Sequence, residues 1–230
     1  MVAAIPPDIL THTPIFHITD IGNLPAILKC GHLLSCNTLK NSGIKYMDIA
    51  NNDIQSKRAT KTVPINPGGR LHDYVPFYFA PRSPMLRSNH IGNISNAKPQ
   101  RQIIHLVSAA QHVEENGLNF VFYNAHAIMI HAQPFNDLTN LNQIDWEIFF
   151  EPPLLGKYAK YWNDRYDDTH PKWTKRQSIR MSEFLVHHAF PINLIERIGV
   201  YDPAARSQTM DILAKSGVNI NVEIKPEWYY

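Results

Sequence analysis

Residues 73–85 read DYVPFYFAPRSPM, with four aromatics and three prolines in thirteen positions. Tyr74-Val75 and Phe77-Tyr78-Phe79 are β-forming, but Pro76 between them has no ladder donor, which predicts an edge strand or the mouth of a strand. Past Phe79 the chain breaks into a Pro-punctuated loop that leaves Arg82 where the strand ends. Rigid aromatics beside one arginine suit plain packing. They equally suit the rim of a site that holds something flat and negatively charged.

Working outward from this block, strand-like runs outnumber helical ones. IFHIT (15–19), QIIHLVS (102–108), NFVFYN (119–124), SEFLVHH (182–188) and IERIGVY (195–201) are apolar and β-rich. NINVEIK (219–225) alternates, with Ile220, Val222 and Ile224 on one face. NLPAILKCG reads as a short helix with Asn23 as cap and Gly31 as stop, and PAARSQTMDILAKSG as a longer one stopped by Gly217. Residues 44–70 are polar and read as irregular chain ending in the Pro67-Gly68-Gly69 turn. With no repeat and no low-complexity linker, the expectation is one α+β domain over residues 1–230 with mainly antiparallel pairing.

Composition narrows the class. Of the 230 residues, 44% are hydrophobic, enough for a real core, and no apolar run approaches the roughly 18 residues that span a membrane. The N-terminal MVAAIPPDILTHTPIF has no basic stretch ahead of an apolar one, so it does not read as a secretory signal. Cys30 and Cys36 are too few for a disulfide framework, and the reducing cytoplasm is the expected compartment. Cys30, His32 and Cys36 lack a fourth ligand and a zinc-like spacing, so no metal is expected.

The formal net charge is only +2, but it is unevenly spread. Arg82 to Arg101 carries +4 with no acid, and Lys157 to Arg180 carries +4 from seven basic residues and three acids, leaving −6 for the rest. Two concentrated basic stretches are how a polyanion footprint looks. The second also interleaves Tyr158, Tyr161, Trp162, Tyr166 and Trp173. Cations that track a backbone and aromatics that stack bases fit single-stranded nucleic acid. A solvated amphipathic segment with its aromatics turned to the core fits the same pattern.

Taken singly, the chemical candidates are weak. Glu183 opens an apolar strand directly after the basic-aromatic stretch, where a carboxylate can serve a site or merely cap or salt-bridge. His17 lies inside a strand with Thr19 on the same side. Arg58 sits in a polar stretch, and His126 follows an apolar run.

In order along the chain, FHIT…NLPAIL, PGGRLHDYVPFYFAPRSPML, FVFYNAHA, LNQIDW and RMSEFLV resemble the DarT family of DNA ADP-ribosyltransferase toxins. The resemblance implies a mono-ADP-ribosyltransferase fold: two packed, mainly antiparallel sheets, an NAD cleft between them and flanking helices. It also implies NAD as co-substrate and single-stranded DNA as acceptor, with a macrodomain antitoxin as partner. Glu183 matches the family's catalytic glutamate, which would bond the ribose 2′-hydroxyl and stabilise an oxocarbenium-like ribose. His17 and Thr19 would hold NAD, assisted by Asn23. Arg58 would hold the pyrophosphate and favour loss of a proton from the attacking base, with His126 as the further catalytic group. Tyr74, Phe77 and Tyr78 would wall the nicotinamide pocket. Arg82 and Met85 would lie on the nucleic-acid side, together with Lys172, Trp173, Lys175 and Arg176 of the substrate loop.

Members split between thymine and guanine targets, and the HDYVPFYFAPRSPML block and His126 loop resemble the thymine branch more. Met181 stands two residues before Glu183, where protein-modifying relatives carry Glu or Gln, so a protein arginine is disfavoured as acceptor. Two other classes remain open on the residues alone: a nucleic-acid-binding module without chemistry, and a nuclease or N-glycosidase using Glu183 and His126 as an acid–base pair.

Overall fold

The computed structural model describes residue 6 and residues 8–92, 94–150 and 176–230. In chain order the regular elements begin with β1 (Pro14–Asp20), α1 (Leu24–Cys30), β2 (His32–Leu34), α2 (Cys36–Ser42) and α3 (Asn52–Thr60). β3 (Tyr74–Tyr78), α4 (Pro84–His90), β4 (Ile103–Ala109), α5 (Ala110–Glu115), β5 (Phe120–Tyr123), β6 (Pro134–Phe135) and α6 (Glu147–Phe150) follow. α7 (Arg176–Arg180), β7 (Glu183–His187), β8 (Ala189–Pro191), β9 (Arg197–Val200), α8 (Pro203–Ser216) and β10 (Asn221–Ile224) complete the series.

Eight strands form one sheet in the order β10-β9-β4-β1-β3-β7-β5-β6, and β2 pairs with β8 in a second, two-stranded sheet. The large sheet is nearly split in the middle. β1 pairs with β4 over seven residues and β3 with β7 over five, but β1 and β3 meet only at Phe16 and Tyr78. Two four-stranded halves therefore share a single register pair, and the fold is a mixed α+β one with a large, mostly antiparallel sheet and a small second sheet, flanked by helices. All strand pairs in the large sheet are antiparallel except β9–β10, which is parallel because α8 crosses over between them.

Pro76 explains the split. It is not on an edge strand, as its chemistry suggested, but in a strand flanked on both sides. Its carbonyl accepts from the His17 ring on β1 at 2.8 Å. In a strand the N–H and C=O of one residue point the same way, so the missing donor of Pro76 also faces β1. A ladder cannot continue there, the strands diverge, and a histidine side chain enters the gap. Edge behaviour is thus created inside the sheet.

Side chains alternate across β3. Val75 and Phe77 join the main core with Ile15, Leu106, Phe122, Phe184 and Phe190. Tyr74 joins a smaller cluster on the opposite face with Leu71, Val121, Tyr123 and Leu185. Residues 183, 185 and 187 of β7 share that second face by the period of two, which puts Glu183 on the side away from the main core.

Three local expectations change. α3 lies within the stretch read as irregular; it carries no apolar stripe, its one buried residue is Arg58, and Asn51 caps it by accepting from the Asp53 and Ile54 amides. Asn23 does not cap α1 with its side chain, because a 3-10 turn over Ile21–Asn23, capped by Asp20, leads into the helix. On β10, Val222 is buried, but Ile224 is exposed because the strand lies at the sheet edge. Gly31 ends α1 at φ 74° and Gly217 ends α8 at φ 66°, both left-handed caps that favour glycine.

Candidate active site

The divergence of β1 from β3 opens into a cleft of about 370 Å³. Its walls include His17 and Thr19 from β1, Pro76 and Tyr78 from β3, residues 44–51, Arg58 from α3, His126, and Met181. The volume lies in the range of small-molecule sites.

At one end stands a row of three side chains set by register. Glu183 on β7 is directly opposite Tyr78 on β3 and Tyr123 on β5. The Glu183 side chain is 1% exposed, and Arg58 Nη1 donates to its Oε2 at 2.6 Å. The Ala127 amide donates to Oε1 at 3.3 Å, and His126 Nε2 lies 3.5 Å from the same atom. A carboxylate has about four lone-pair positions, so these contacts leave acceptor capacity for a ligand hydroxyl. Arg58, His126 and Tyr78 border the cleft and bring it to the carboxylate.

Protonation follows from burial. Burial opposes the Arg58 charge, but the Glu183 charge and hydrogen bond outweigh it and hold its pKa above the ordinary value. For His126, burial outweighs the pull of Glu183 and lowers the pKa, with Arg58 and Lys57 adding to the effect. The ring is neutral at pH 7, so its approach to Glu183 is a polar contact and not an ion pair. Burial raises the Tyr78 pKa, assisted by the nearby Glu183 charge, so its hydroxyl stays protonated and can donate.

The opposite wall is equally ordered. A carbonyl can only accept, so the His17 nitrogen facing Pro76 O carries the hydrogen. Burial lowers the His17 pKa against that hydrogen bond, and the neutral ring keeps Nε2 as an acceptor. Asn23 donates to Thr19 Oγ1 (3.0 Å) and to Met47 O (2.9 Å) and accepts from Met47 N (2.7 Å). Its amide thereby fastens the strip of residues 44–51 across the cleft and orients Thr19. Cys30, His32 and Cys36 also border the cleft, yet among the described residues no group of three or more His, Cys, Asp or Glu could hold a metal ion.

Comparison with known proteins adds to this geometry. The family model of DarT, the ssDNA thymidine ADP-ribosyltransferase, matches residues 16–230. The chain belongs to the DarT family. The DNA ADP-ribosyl transferase of Thermus sp. (strain 2.9) is 42% identical over 220 residues, covering 95% of this chain and 96% of its own. That of Escherichia coli O127:H6 is 32% identical over 217 residues, covering 94% and 93%. Among solved structures, Thermus sp. 2.9 DarT in complex with ADP-ribosylated ssDNA superposes with a TM-score of 0.83 at 39% identity, covering 95% of this chain and 96% of that one. The same protein in complex with NAD+ gives 0.77 at 39% identity, covering 95% and 98%.

Set against the DarT pattern, the structure brings Glu183, Arg58, His126, His17, Thr19, Asn23, Tyr74, Tyr78 and Met85 to one cleft or its immediate wall. Phe77 is a correction. It is fully buried on the main-core face, 4.9 Å from the Phe190 ring and 5.6 Å from His17, so it backs the His17 ring instead of walling the cleft. The alternation of β3 requires this once Tyr78 faces the site. Arg82, expected on the nucleic-acid side, does not border the cleft; its Nε donates to Tyr229 O at 2.9 Å, tying the loop after β3 to the C-terminal segment. Tyr74 is only a partial wall, since its ring is buried and its hydroxyl donates to Gly68 O. Lys172, Trp173 and Lys175 lie outside the described residues, as does the side chain of Arg176 at the start of α7.

Two contributors escaped the sequence reading. Tyr123 is 2% exposed beside Glu183, and burial with the Glu183 charge pushes its hydroxyl up to about 12. Among the described residues that hydroxyl has no hydrogen-bond partner. Gln55, one turn before Arg58 on α3, accepts from His72 Nε2 at 2.8 Å and so braces the helix that presents the arginine. The alternation of FVFY puts Val121 and Tyr123 on one face, but nothing local reveals which strand lies next to it.

Proposed function

We propose that the chain acts as one ADP-ribosyltransferase domain over residues 1–230, moving ADP-ribose from NAD to a thymine in single-stranded DNA. The reading is supported above all by the Glu183–Arg58 pair, buried and in register with two tyrosines at the end of a cleft opened by strand divergence. Family membership supplies the reaction class, and the Thermus DarT complexes with NAD+ and ADP-ribosylated DNA support the two substrates.

In the reaction the bond between ribose C1 and the nicotinamide nitrogen breaks, and its electron pair leaves with neutral nicotinamide. No acid is needed for that departure. What must be stabilised is the cationic ribose, and an ionised carboxylate bonded to the 2′-hydroxyl does so. Glu183 takes this role. His17 Nε2 accepts from, and the Thr19 hydroxyl donates to, the polar groups of NAD, with Asn23 holding Thr19 and the strip of residues 44–51 in place. The acceptor is a thymine ring nitrogen. One of the two ring nitrogens is already bonded to deoxyribose, so the other attacks, and its proton must leave. Arg58 stabilises the resulting anion, at roughly one pKa unit for each 1.4 kcal/mol. Neutral His126 accepts the proton or relays it. Met181, which borders the cleft, offers a base an apolar contact and offers a guanidinium no acceptor. A base in a duplex would have to be flipped out first, which favours single strands.

No described helix is long and apolar enough to cross a membrane. The cytoplasm, where NAD and DNA are both present, is the proposed compartment, and a macrodomain antitoxin that removes the adduct is the proposed partner. The test is nicotinamide release measured with NAD and oligonucleotides. Release that rises with thymine-containing single strands supports the reading. Equal release with thymine-free oligonucleotides overturns it.

A further inference from the structure

On the far side of α4 from the catalytic cleft lies a second groove, lined by Asn89, His90, Lys98, Gln100, Arg101 and Tyr201. Its lining residues carry two cations and no carboxylate. Arg101 is 66% exposed and lies 3.7 Å from Asp202, a distance at which an exposed pair contributes little. Asp202 caps α8 by accepting from the Ala205 amide through Oδ1, and its other oxygen, Oδ2, is the one that approaches Arg101. Among the described residues, Lys98 and nearby Arg87 have no carboxylate partner. The groove also holds an aromatic wall, because Tyr201 stands edge-on to Tyr229 at 5.2 Å and is fixed there.

The groove is mechanically joined to the cleft. Pro84, Met85 and Ser88 of α4 border the cleft, while Asn89 and His90 of the same helix border the groove. From Met85 to His90 is about 7.5 Å along a helix axis. Buried Asn89 donates to Ile49 O (2.8 Å) and Met85 O (2.9 Å) and accepts from Lys98 N (2.9 Å). Asn96 bonds Asp48 O. The loop that carries Lys98 is therefore bonded to the strip of residues 44–51 that walls the cleft, and the two depressions keep a fixed spacing.

We propose that this groove binds the single strand flanking the target base, with Lys98 and Arg101 on successive phosphates and Tyr201 as a stacking surface. The proposal rests on the reading of the chain as a DNA ADP-ribosyltransferase. Cations in a row with an adjoining aromatic are the features that bind single strands without reading sequence. Fixed spacing from the cleft turns such a contact into a positioning device: a strand held at the groove delivers its next few nucleotides to the reacting carbon.

The test uses the full chain with oligonucleotides that share one reactive core and carry a 5′ flank, a 3′ flank or neither, and compares Lys98→Ala/Arg101→Ala with the parent. The variant should match the parent on the bare core and show a raised KM on one flanked form. Two lost phosphate contacts flatten the slope of log affinity against log salt by about 1.4, so between 50 and 200 mM salt the parent loses about sevenfold more affinity than the variant. Charge reversal, Lys98→Glu/Arg101→Glu, should weaken the flanked form further. Equal KM and equal salt slope on every oligonucleotide overturn the groove assignment while leaving the activity itself intact. Absence of any adduct with the parent protein would instead strike at the transferase reading.

Discussion

The Arg58–Glu183 pair is the contact most open to perturbation, and the expected cost can be worked out. Read from sequence alone, Glu183→Ala removes transition-state stabilisation and little packing. The structure changes that expectation, because Glu183 is 1% and Arg58 10% exposed, and they meet at 2.6 Å. Removing one partner of a buried pair leaves an uncompensated charge and costs about 3–5 kcal/mol. Unfolding entropy of about 2.1 cal/mol/K per residue gives about 0.48 kcal/mol/K for a chain of this length. Glu183→Ala and Arg58→Ala should therefore each lower Tm by about 6–10 °C in scanning fluorimetry. A double variant, Arg58→Met/Glu183→Leu, should cost far less than the two single losses together, as coupled sites do. Glu183→Gln keeps shape and one acceptor, so it should be milder than Ala in stability while cutting transfer by about 10²–10³ or more, the scale of a lost charge-stabilising contact. Single variants within about 0.5 kcal/mol of the parent, or fully additive losses, would refute the buried-pair argument.

Other consequences follow from the same geometry. His17, His72 and His126 all have folded pKa values lowered by burial. Groups depressed on folding contribute stability above the unfolded value of about 6.5 and lose it as pH falls, so urea midpoints should drop steadily from pH 7 towards pH 5; a flat profile would contradict neutral burial. Asn23→Ala breaks three hydrogen bonds that fasten residue 47 and Thr19; it should cost about 1–3 kcal/mol and raise KM for NAD more than it lowers kcat. Tyr123→Phe removes a buried hydroxyl with no partner among the described residues, and Tm should stay level or rise, a marked fall indicating a contact not accounted for.

What could be read from the residues was the strand content, since the runs over 15–19, 102–108, 119–124, 182–188, 195–201 and 219–225 each overlap a strand, with ends that differ by up to two residues. The family was legible as well, because RMSEFLV and DYVPFYFAPRSPM are local patterns. Long-range consequences were not. Pro76 reads as an edge residue by its missing donor, and only tertiary context shows an interior strand forced apart at that point. α3 lacks an apolar stripe, so periodicity cannot reveal a helix fixed by polar contacts, among them an ion pair with a residue 125 positions away. Phe77 and Tyr78 are adjacent aromatics of similar character. Which of them meets the cleft depends on strand register.

The most direct test of the central claim is the mass of the product. The protein is incubated with NAD and a single-stranded oligonucleotide containing one thymine, and the oligonucleotide is weighed intact and after fragmentation. The account predicts a gain of one ADP-ribose unit on the thymine, with one nicotinamide released per adduct and no gain with Glu183→Gln. An oligonucleotide of unchanged mass while NAD is consumed, or an adduct that maps to a base other than thymine, would contradict it.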